Sequence, residues 1–315
     1  MYVGVQGIRT TKPELQFLTR HGVTHMDTNL DTDNPGDIVR RRDEAAAEGV
    51  SLDMVHIPLA DSIVRAQDPQ RDADIDEICR WIEIVGGAGL RGINYNFSTV
   101  SYQRTENRYG RGGSGYSSFE GTKYDTDEPH EAAPVSRDEM FERIHYFLEQ
   151  VIPVAEANQV QMGCHLPDPP APVLRGEERW NYPVFEGLKR FSELVDSDCH
   201  GFNFCCGVAG EGLDDPGRDL PPIVEYFSER NKIFNVHFRN IRGGFDDFVE
   251  VWPDEGDVDM FTLAQIFHRT GYPYMLMPDH SPTHPDDPPR GSGRVRQGWA
   301  FQFGYIIAMI RAVQG

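Results

Sequence analysis

The sequence lacks several features that would assign a protein to a broad class. No apolar run approaches the length of about 20 residues that a membrane-spanning helix needs, and the first residues show no secretion-signal pattern. The five cysteines are odd in number and include no C-x-x-C pair, which argues against a disulfide framework. Serine-hydrolase, phosphate-loop and dinucleotide-binding patterns are absent as well. These absences favour a cytoplasmic protein whose chemistry is neither serine hydrolysis, nucleotide hydrolysis nor NAD-dependent redox.

Basic residues are also scarce relative to acidic ones. The chain has 50 Asp and Glu against 30 Lys and Arg, a formal net charge of -20. Such a charge argues against general affinity for nucleic acid or for anionic membrane surfaces. A small anionic substrate would therefore need a locally positive site.

Short apolar segments alternate with helical segments along all 315 residues. Apolar runs of strand length that alternate with amphipathic helices are typical of parallel α/β folds, and α/β barrels commonly reach about 250 residues or more. We therefore predict one domain over 1–315, a single (β/α)8 TIM barrel. The predicted strands are 2–8, 24–29, 51–59, 92–97, 160–165, 201–206, 233–240 and 274–280, and the predicted helices are 13–20, 35–48, 72–85, 137–158, 182–195, 220–230, 260–268 and 295–313.

The segment 98–136, after the fourth strand, is too long for an ordinary connection, whose median is about 4 to 6 residues. Such a segment is either a lid or disordered. Aromatic and arginine side chains favour the lid, because they are costly to expose without a partner. Those side chains are Tyr102, Arg104, Tyr109, Arg111 and Tyr116.

Four consecutive predicted strands end in residue types that bind metals: His165, Cys205, His237 and Asp279. In a parallel barrel these ends meet at the C-terminal mouth, where such folds carry their chemistry. Two imidazoles, a thiolate and a carboxylate suit Mn, Fe or Zn without selecting one of them. Each residue alone is more often structural, and it is their coincidence at successive strand ends that favours a shared metal with a Lewis-acid role.

Other polar residues near strand ends are candidate site residues, and a structural role is the alternative interpretation of each. Arg239 follows His237 by two positions, so both side chains should share a face, and Arg239 either clamps a substrate carboxylate or pairs with an acidic neighbour. Asp168, between prolines, is either a site residue or a turn residue. The weaker candidates are His25, Asp27, His56, Asn94 and Asn96.

Several motifs resemble, in order along the chain, those of the mannonate dehydratase family of xylose-isomerase-like barrels. Cys-His-Leu-Pro-Asp-Pro-Pro at 164–170 is similar to the family's Cys-His-Pro-Asp-Asp-Pro-Pro, and Phe-Cys-Cys-Gly at 204–207 to its Phe-Cys-Thr-Gly. His-Phe-Arg-Asn at 237–240 and Pro-Asp-His at 278–280 match as they stand. Tyr-Asn-Phe at 95–97 with Arg104-Thr105 resembles the family's segment that contains Tyr-Asn-Phe and Trp-Thr-Arg-Thr. The chain departs from the family by being shorter and by having Trp299 where the family has Tyr in Gly-Tyr-Ser.

The resemblance implies a divalent metal, usually Mn²⁺ with Fe²⁺, Co²⁺ or Zn²⁺ as alternatives, bound by the four strand-end residues. It implies catalytic roles for His280 as an acid/base group, for Arg239 near the substrate carboxylate and for Asp279. It also implies a homo-oligomer, a dimer or larger. The residues that the resemblance places at the substrate are Asn96, Arg104, Asp168 and Trp299.

The reaction implied by the resemblance is dehydration of a sugar acid, D-mannonate or a related aldonate, to a 2-keto-3-deoxy acid. Two alternatives stay open. One is a metal-dependent sugar isomerase or epimerase, and the other is a non-catalytic protein that binds sugar acids. Neither a nucleic acid nor a membrane is expected as a partner.

Overall fold

The computed structural model describes residues 1–7, 10–30, 34, 36–67, 69–100, 102–124, 128–287 and 297–315. Within these ranges, eight parallel strands form one sheet. The strands are β1 Tyr2–Val3, β2 His25–Asn29, β3 Ser51–His56, β4 Gly92–Asn96, β5 Gln161–His165, β6 His200–Cys205, β7 Ile233–His237 and β8 Met275–Met277. Their order in the sheet is β1-β8-β7-β6-β5-β4-β3-β2. The backbone N–H of Asp27, in β2, donates to the carbonyl of Val5, just after β1, at 2.9 Å. This bond joins the two edges, so the sheet closes into a barrel.

Helices surround the barrel and cover the outer face of its strands. Tyr95 of β4 contacts Phe147 at a ring-centroid distance of 5.6 Å, and Trp81 and Ile82 are buried in the same core. The helices in the described ranges are α1 Lys12–Arg20, α2 Asp37–Ala47, α3 Asp61–Val64, α4 Gln70–Gly87, α5 Arg137–Asn158, α6 Val184–Ser192, α7 Cys206–Glu211, α8 Pro216–Glu229, α9 Met260–Arg269 and α10 Gln297–Gln314. None of them has the length and apolar character that crossing a lipid bilayer requires.

The predicted barrel is confirmed, and the differences lie at strand ends and in short elements. β8 ends at Met277 rather than at residue 280, because Pro278 has no N–H to donate to a ladder. The helices α3 and α7 were not predicted. Positions 8, 35 and 295–296, which belong to one predicted strand and two predicted helices, lie outside the described residues. The single domain over 1–315 stays a prediction.

A hairpin that the sequence did not predict follows β7. Its strands are Ile241–Gly244 and Asp247–Glu250, and the second pairs antiparallel with Ser118–Glu120 from the segment 98–136. The rings of Phe119 and Phe248 stack there at 5.7 Å. The described part of 98–136 therefore packs on the barrel through this hairpin, and its role as a lid stays a prediction. The segment also contains the paired strands Arg108–Tyr109 and Gly115–Tyr116 and the 3-10 turns Arg111–Gly113 and Gly121–Lys123.

Candidate metal centre

Four side chains converge at the C-terminal mouth of the barrel, from the ends of β5 to β8. One atom from each of His165, Cys205, His237 and Asp279 lies within 4.8 Å of the other three. His237 Nδ1 is 3.2 Å from His165 Nε2 and 3.5 Å from Asp279 Oδ2. Cys205 Sγ is 3.7 Å from the same Asp279 oxygen. The structure thus brings all four predicted strand-end residues to one point.

The strand register explains this convergence. His237 pairs with Cys205 on one side and with Met277 on the other, so the ends of β6, β7 and β8 are level. Asp279 follows Met277 by two residues, and it contacts His237 and Cys205 from that position.

The chemistry of these residues fits a divalent metal ion. Two imidazole nitrogens, a thiol and a carboxylate are donors that Mn²⁺, Fe²⁺, Co²⁺ or Zn²⁺ accept. Asp279 Oδ1 accepts a hydrogen bond of 2.6 Å from Gln6 Nε2, while Oδ2 faces His237 and Cys205. Gln6 therefore holds Asp279 with one oxygen toward the other donors, as residues around a metal ligand commonly do.

Charge and burial set the protonation of these groups. Burial lowers the pKa of His165, which favours a neutral ring with a free lone pair. Burial alone would raise the pKa of Asp279, but the positive charges of His280, His237 and Arg239 outweigh it and hold that pKa well below its usual value. Asp279 is therefore ionised at neutral pH.

Arg239 lies behind the four candidate metal ligands and is almost fully buried. Its Nη2 is 3.4 Å from Cys205 Sγ, its Nε is 3.3 Å from Asp279 Oδ2, and its Nη1 donates to Glu211 Oε1 at 2.7 Å. A Cβ at position 207 would lie 2.5 Å from Arg239 Cζ, so Gly207 makes room for the guanidinium. Of the two interpretations of Arg239 from the sequence, pairing with acidic neighbours is the one that these contacts support.

Arg104 comes from the segment 98–136 and joins the same network. Its Nη2 is 2.9 Å from Asp168 Oδ2, 3.1 Å from Glu211 Oε1 and 2.5 Å from Glu250 Oε1. Its side chain is only 7% exposed. Two buried arginines are thus shared among three buried carboxylates next to the metal-binding residues.

The pKa values of Glu211 and Glu250 are shifted in opposite directions. Burial raises the pKa of Glu211 to about 8, with the two arginines opposing the shift and Asp168 and Glu250 adding to it. Glu250 is buried too, but the charges of Arg239, His280 and Arg104 outweigh burial and lower its pKa well below the usual value. The positive charges thus favour the ionised form of Glu250, whereas burial favours the protonated form of Glu211.

Glu211 and Glu250 were missed by sequence reasoning. Glu250 ends the run Phe248-Val249 and precedes Val251-Trp252, and an acidic residue inside such an apolar run is a signal that could have identified it. Glu211 follows a run of small residues in α7, which offers no comparable signal.

His280 lies at the open side of the centre, with its side chain 34% exposed. Its Nδ1 contacts both carboxylate oxygens of Glu250, and the ring of Tyr102 meets it edge-on at 5.0 Å. Burial alone would lower the pKa of His280, but the charges of Asp279 and Glu250 outweigh it and raise the pKa to about 9. His280 is therefore a cationic acid at neutral pH.

The remaining candidates from the sequence lie in different places. Asn96 is exposed at the end of β4, in register with His165, whereas Trp299 lies in α10, where its ring faces Phe303 at 6.4 Å. Asp168 is buried against Arg104. The structure thus brings Asp168 and Arg104 into the centre and leaves Trp299 against the core.

Among the weaker candidates, Asp27 and Asn94 bind each other inside the barrel, with Asn94 Nδ2 donating to Asp27 Oδ2 at 2.9 Å. Burial raises the pKa of Asp27 to about 6. Burial lowers the pKa of His56 to about 4. His25 begins β2, at the other end of the barrel, and stacks on Tyr2 at 3.6 Å.

Comparisons with known proteins agree with this architecture. A family described as D-mannonate dehydratase (UxuA) matches residues 14–315. A mannonate dehydratase of Shouchella clausii (strain KSM-K16) is 29% identical over 281 residues, which cover 78% of this chain and 76% of that protein.

Two solved structures share the fold. The crystal structure of mannonate dehydratase from Streptococcus suis serotype 2 superposes with a TM-score of 0.87 at 23% identity, covering 100% of this chain and 95% of that one. A xylose isomerase domain protein from Planctomyces limnophilus gives a TM-score of 0.63 at 12% identity, covering 99% and 98%. At these identities the two structures support the barrel architecture alone.

Proposed function

The chain belongs to the D-mannonate dehydratase family, and from this membership we propose that it removes water from D-mannonate or a related aldonate to give a 2-keto-3-deoxy acid. It is accordingly an enzyme of the lyase class. The observation that carries the proposal is the convergence of His165, Cys205, His237 and Asp279 beside a cationic His280. A site of this kind can stabilise developing negative charge and deliver a proton within one small region.

We assign the metal to the four strand-end residues. The expected ion is Mn²⁺, with Fe²⁺, Co²⁺ and Zn²⁺ as alternatives. When bound there, such an ion acts as a Lewis acid that stabilises negative charge on substrate oxygens. Gln6 and Arg239 touch Asp279, and Arg239 also touches Cys205, so both hold metal-binding side chains in position.

The dehydration needs a proton at the departing oxygen. A base in the mouth of the barrel takes the proton from C2, the electron pair of the C2–H bond forms the C2–C3 double bond, and the C3–O bond breaks as that oxygen takes a second proton and leaves as water. The resulting enol becomes the 2-keto group. His280 is the group that we assign to protonate the oxygen, because it is cationic at neutral pH and partly exposed. Its Nδ1 is engaged by Glu250, so Nε2 is the nitrogen that delivers the proton.

Arg239 has a positioning role in this proposal. Its guanidinium contacts Glu211, Cys205 and Asp279, and its side chain is 1% exposed, so it stabilises the negative charge of the metal-binding residues. Arg104 and Asp168 bind each other and form a buried wall of the site.

Substrate contacts are assigned to the open side of the mouth. Asn96 is exposed beside His165 and can bind a sugar hydroxyl through its amide. Trp299 stays a predicted substrate residue, although it packs toward Phe303. The lid role of 98–136, the homo-oligomer and the cytoplasmic location are predictions of the same kind.

The proposal is tested by incubating the protein and Mn²⁺ with a panel of aldonic and uronic acids and measuring product masses. Loss of the mass of one water from an aldonate supports dehydration. An unchanged mass with altered chromatographic retention would instead indicate an isomerase or epimerase. Binding of an acid without product, and without solvent deuterium at the carbon next to the carboxylate, would indicate a non-catalytic binding protein. His280→Gln is the matched variant, expected to bind metal and to lose dehydration.

A further inference from the structure

Asn203 is a buried amide on β6 that contacts one of the metal-binding imidazoles. It precedes Cys205 by two residues, so the two side chains lie on the same face of the strand. Asn203 is 3% exposed, and its Nδ2 lies 3.2 Å from His237 Nε2. Its Oδ1 has no hydrogen-bond partner among the described residues. Exchange of Oδ1 and Nδ2 therefore breaks no hydrogen bond of Oδ1.

The other nitrogen of His237 faces the remaining metal-binding atoms. Nδ1 is 3.2 Å from His165 Nε2 and 3.5 Å from Asp279 Oδ2, so it is the nitrogen that can bind a cation held by all four residues. A nitrogen that gives its lone pair to a cation carries no proton, and the proton of the neutral ring must then be on Nε2. That buried N–H requires an acceptor.

We infer that Asn203 is a positioning residue that accepts the Nε2–H of His237 through its Oδ1 and so selects the tautomer that binds metal. The inference rests on the proposed metal site. Rotation of the Asn203 amide by half a turn exchanges Nδ2 and Oδ1 with little change in shape, which places the acceptor in the position that Nδ2 holds, 3.2 Å from Nε2. The bond fixes the ring plane and the free lone pair together.

The other buried metal-binding residues have supports of the same kind. Asp279 Oδ1 is held by Gln6 at 2.6 Å. Cys205 Sγ is contacted by the backbone N–H of Val208 and by Arg239, both at 3.4 Å. Asn203 completes this set of supports for His237.

Two substitutions separate an acceptor role from a packing role. Asn203→Leu keeps the approximate volume and removes the acceptor, whereas Asn203→Asp keeps an acceptor and adds a charge. If Asn203 only fills space, Leu is the milder change, because a buried carboxylate costs more than a buried apolar group. If Asn203 accepts from His237, Asp is the milder change, because a carboxylate accepts the Nε2–H and also attracts the cation.

The experiment titrates the full-length protein with Co²⁺ and follows the thiolate-to-cobalt absorption band and the d–d bands of the ion. We expect Asn203→Leu to weaken Co²⁺ affinity by about 10- to 100-fold with a changed d–d spectrum, and Asn203→Asp to bind at least as tightly as the wild type. The control is Asn235→Leu, a buried amide in register with Asn203 whose Nδ2 contacts Met277 and not an imidazole. It should bind like the wild type. Circular dichroism of each variant reports folding.

Each outcome bears on one proposal or the other. Wild-type affinity in Asn203→Leu overturns the inference, as does weaker binding by Asn203→Asp than by Asn203→Leu. If Asn203→Leu does not fold, the affinity of Asn203→Asp against the wild type decides the question, and loss of binding there overturns the inference. If the wild type itself shows no thiolate-to-cobalt band, the metal site is wrong and the inference fails with it.

Discussion

The imidazole of His280 lies against the carboxylate of Glu250, with Nδ1 3.0 Å from Oε2 and 3.1 Å from Oε1. The two residues are 30 positions apart and come from different elements, the hairpin after β7 and the segment after β8. Arg104 and Arg239 keep Glu250 ionised, and Glu250 in turn helps to keep His280 cationic. The acid strength of His280 is therefore set partly by a side chain outside the barrel.

Glu250→Gln should shift the alkaline limit of activity to lower pH. The proposed acid is the cationic form of His280, so activity of the wild type should fall as pH rises through the pKa of His280, which the charges of Asp279 and Glu250 raise. Removing the Glu250 charge lowers the pKa of His280, and the alkaline limit of activity should move to lower pH by about one pH unit or more. A pH profile of kcat/KM with bound metal quantified at each pH measures this. An unchanged alkaline limit would argue against His280 as the acid.

The same histidine predicts a pH dependence of folding stability. Its folded pKa, about 9, lies above the ordinary value of 6.5, so the folded state binds this proton more tightly than the unfolded state. The stabilisation should be fully present below about pH 6.5 and lost as pH rises through about 9. Chemical denaturation at pH 6 to 10 measures it, and His280→Gln should abolish this part of the dependence.

Removal of Cys205 should change which metal the protein prefers. A thiolate favours thiophilic ions such as Zn²⁺, whereas carboxylate and imidazole also suit Mn²⁺. Cys205→Ser should therefore weaken Zn²⁺ binding by more than about 10-fold and weaken Mn²⁺ binding less. Competition titrations of both ions measure the ratio. Equal losses for the two ions would show that the thiol is not a ligand.

Arg104→Met should destabilise the protein strongly. Arg104 is buried between Asp168, Glu211 and Glu250, and its removal leaves Arg239 alone to compensate these carboxylates, at a cost of about 3–5 kcal/mol. Arg108→Met is the matched control from the same segment, because Arg108 pairs with Glu120 and Asp247 but is 39% exposed. Exposed pairs contribute little. Urea denaturation compares the two, and equal losses would mean that burial of the Arg104 network is not what stabilises it.

Added salt should stabilise the fold. The net charge of -20 makes the folded chain repel itself, and only 4 of its 30 basic residues are lysine. The screening length falls from about 10 Å at 0.1 M to about 3 Å at 1 M salt, which weakens this repulsion. The melting temperature should rise steadily over that range of KCl. A melting temperature that falls over this range would show that attractive ion pairs outweigh the repulsion.

Sequence reasoning identified the parts of the site that depend on strand periodicity. His165, Cys205, His237 and Asp279 end apolar runs in a barrel whose strand ends meet, so residue type and position were sufficient to bring them together. The sequence identified Arg104 as a site residue but could not identify its partners, because they lie 64, 107 and 146 positions away. Glu211 and Glu250 come from a short helix and a hairpin whose placement depends on tertiary packing, which local pattern does not reveal. Asn203 could have been identified from the sequence, because side chains alternate along a strand and Asn203 therefore shares a face with Cys205.

The hairpin that contains Glu250 pairs with Ser118–Glu120 rather than with a barrel strand. Substitutions that alter this three-stranded sheet should shift the pKa of His280 without disturbing the strands that carry the four candidate metal ligands. Evolution, or an engineer exchanging these loops between relatives, would thus adjust the working pH of the proposed acid separately from the proposed choice of ion.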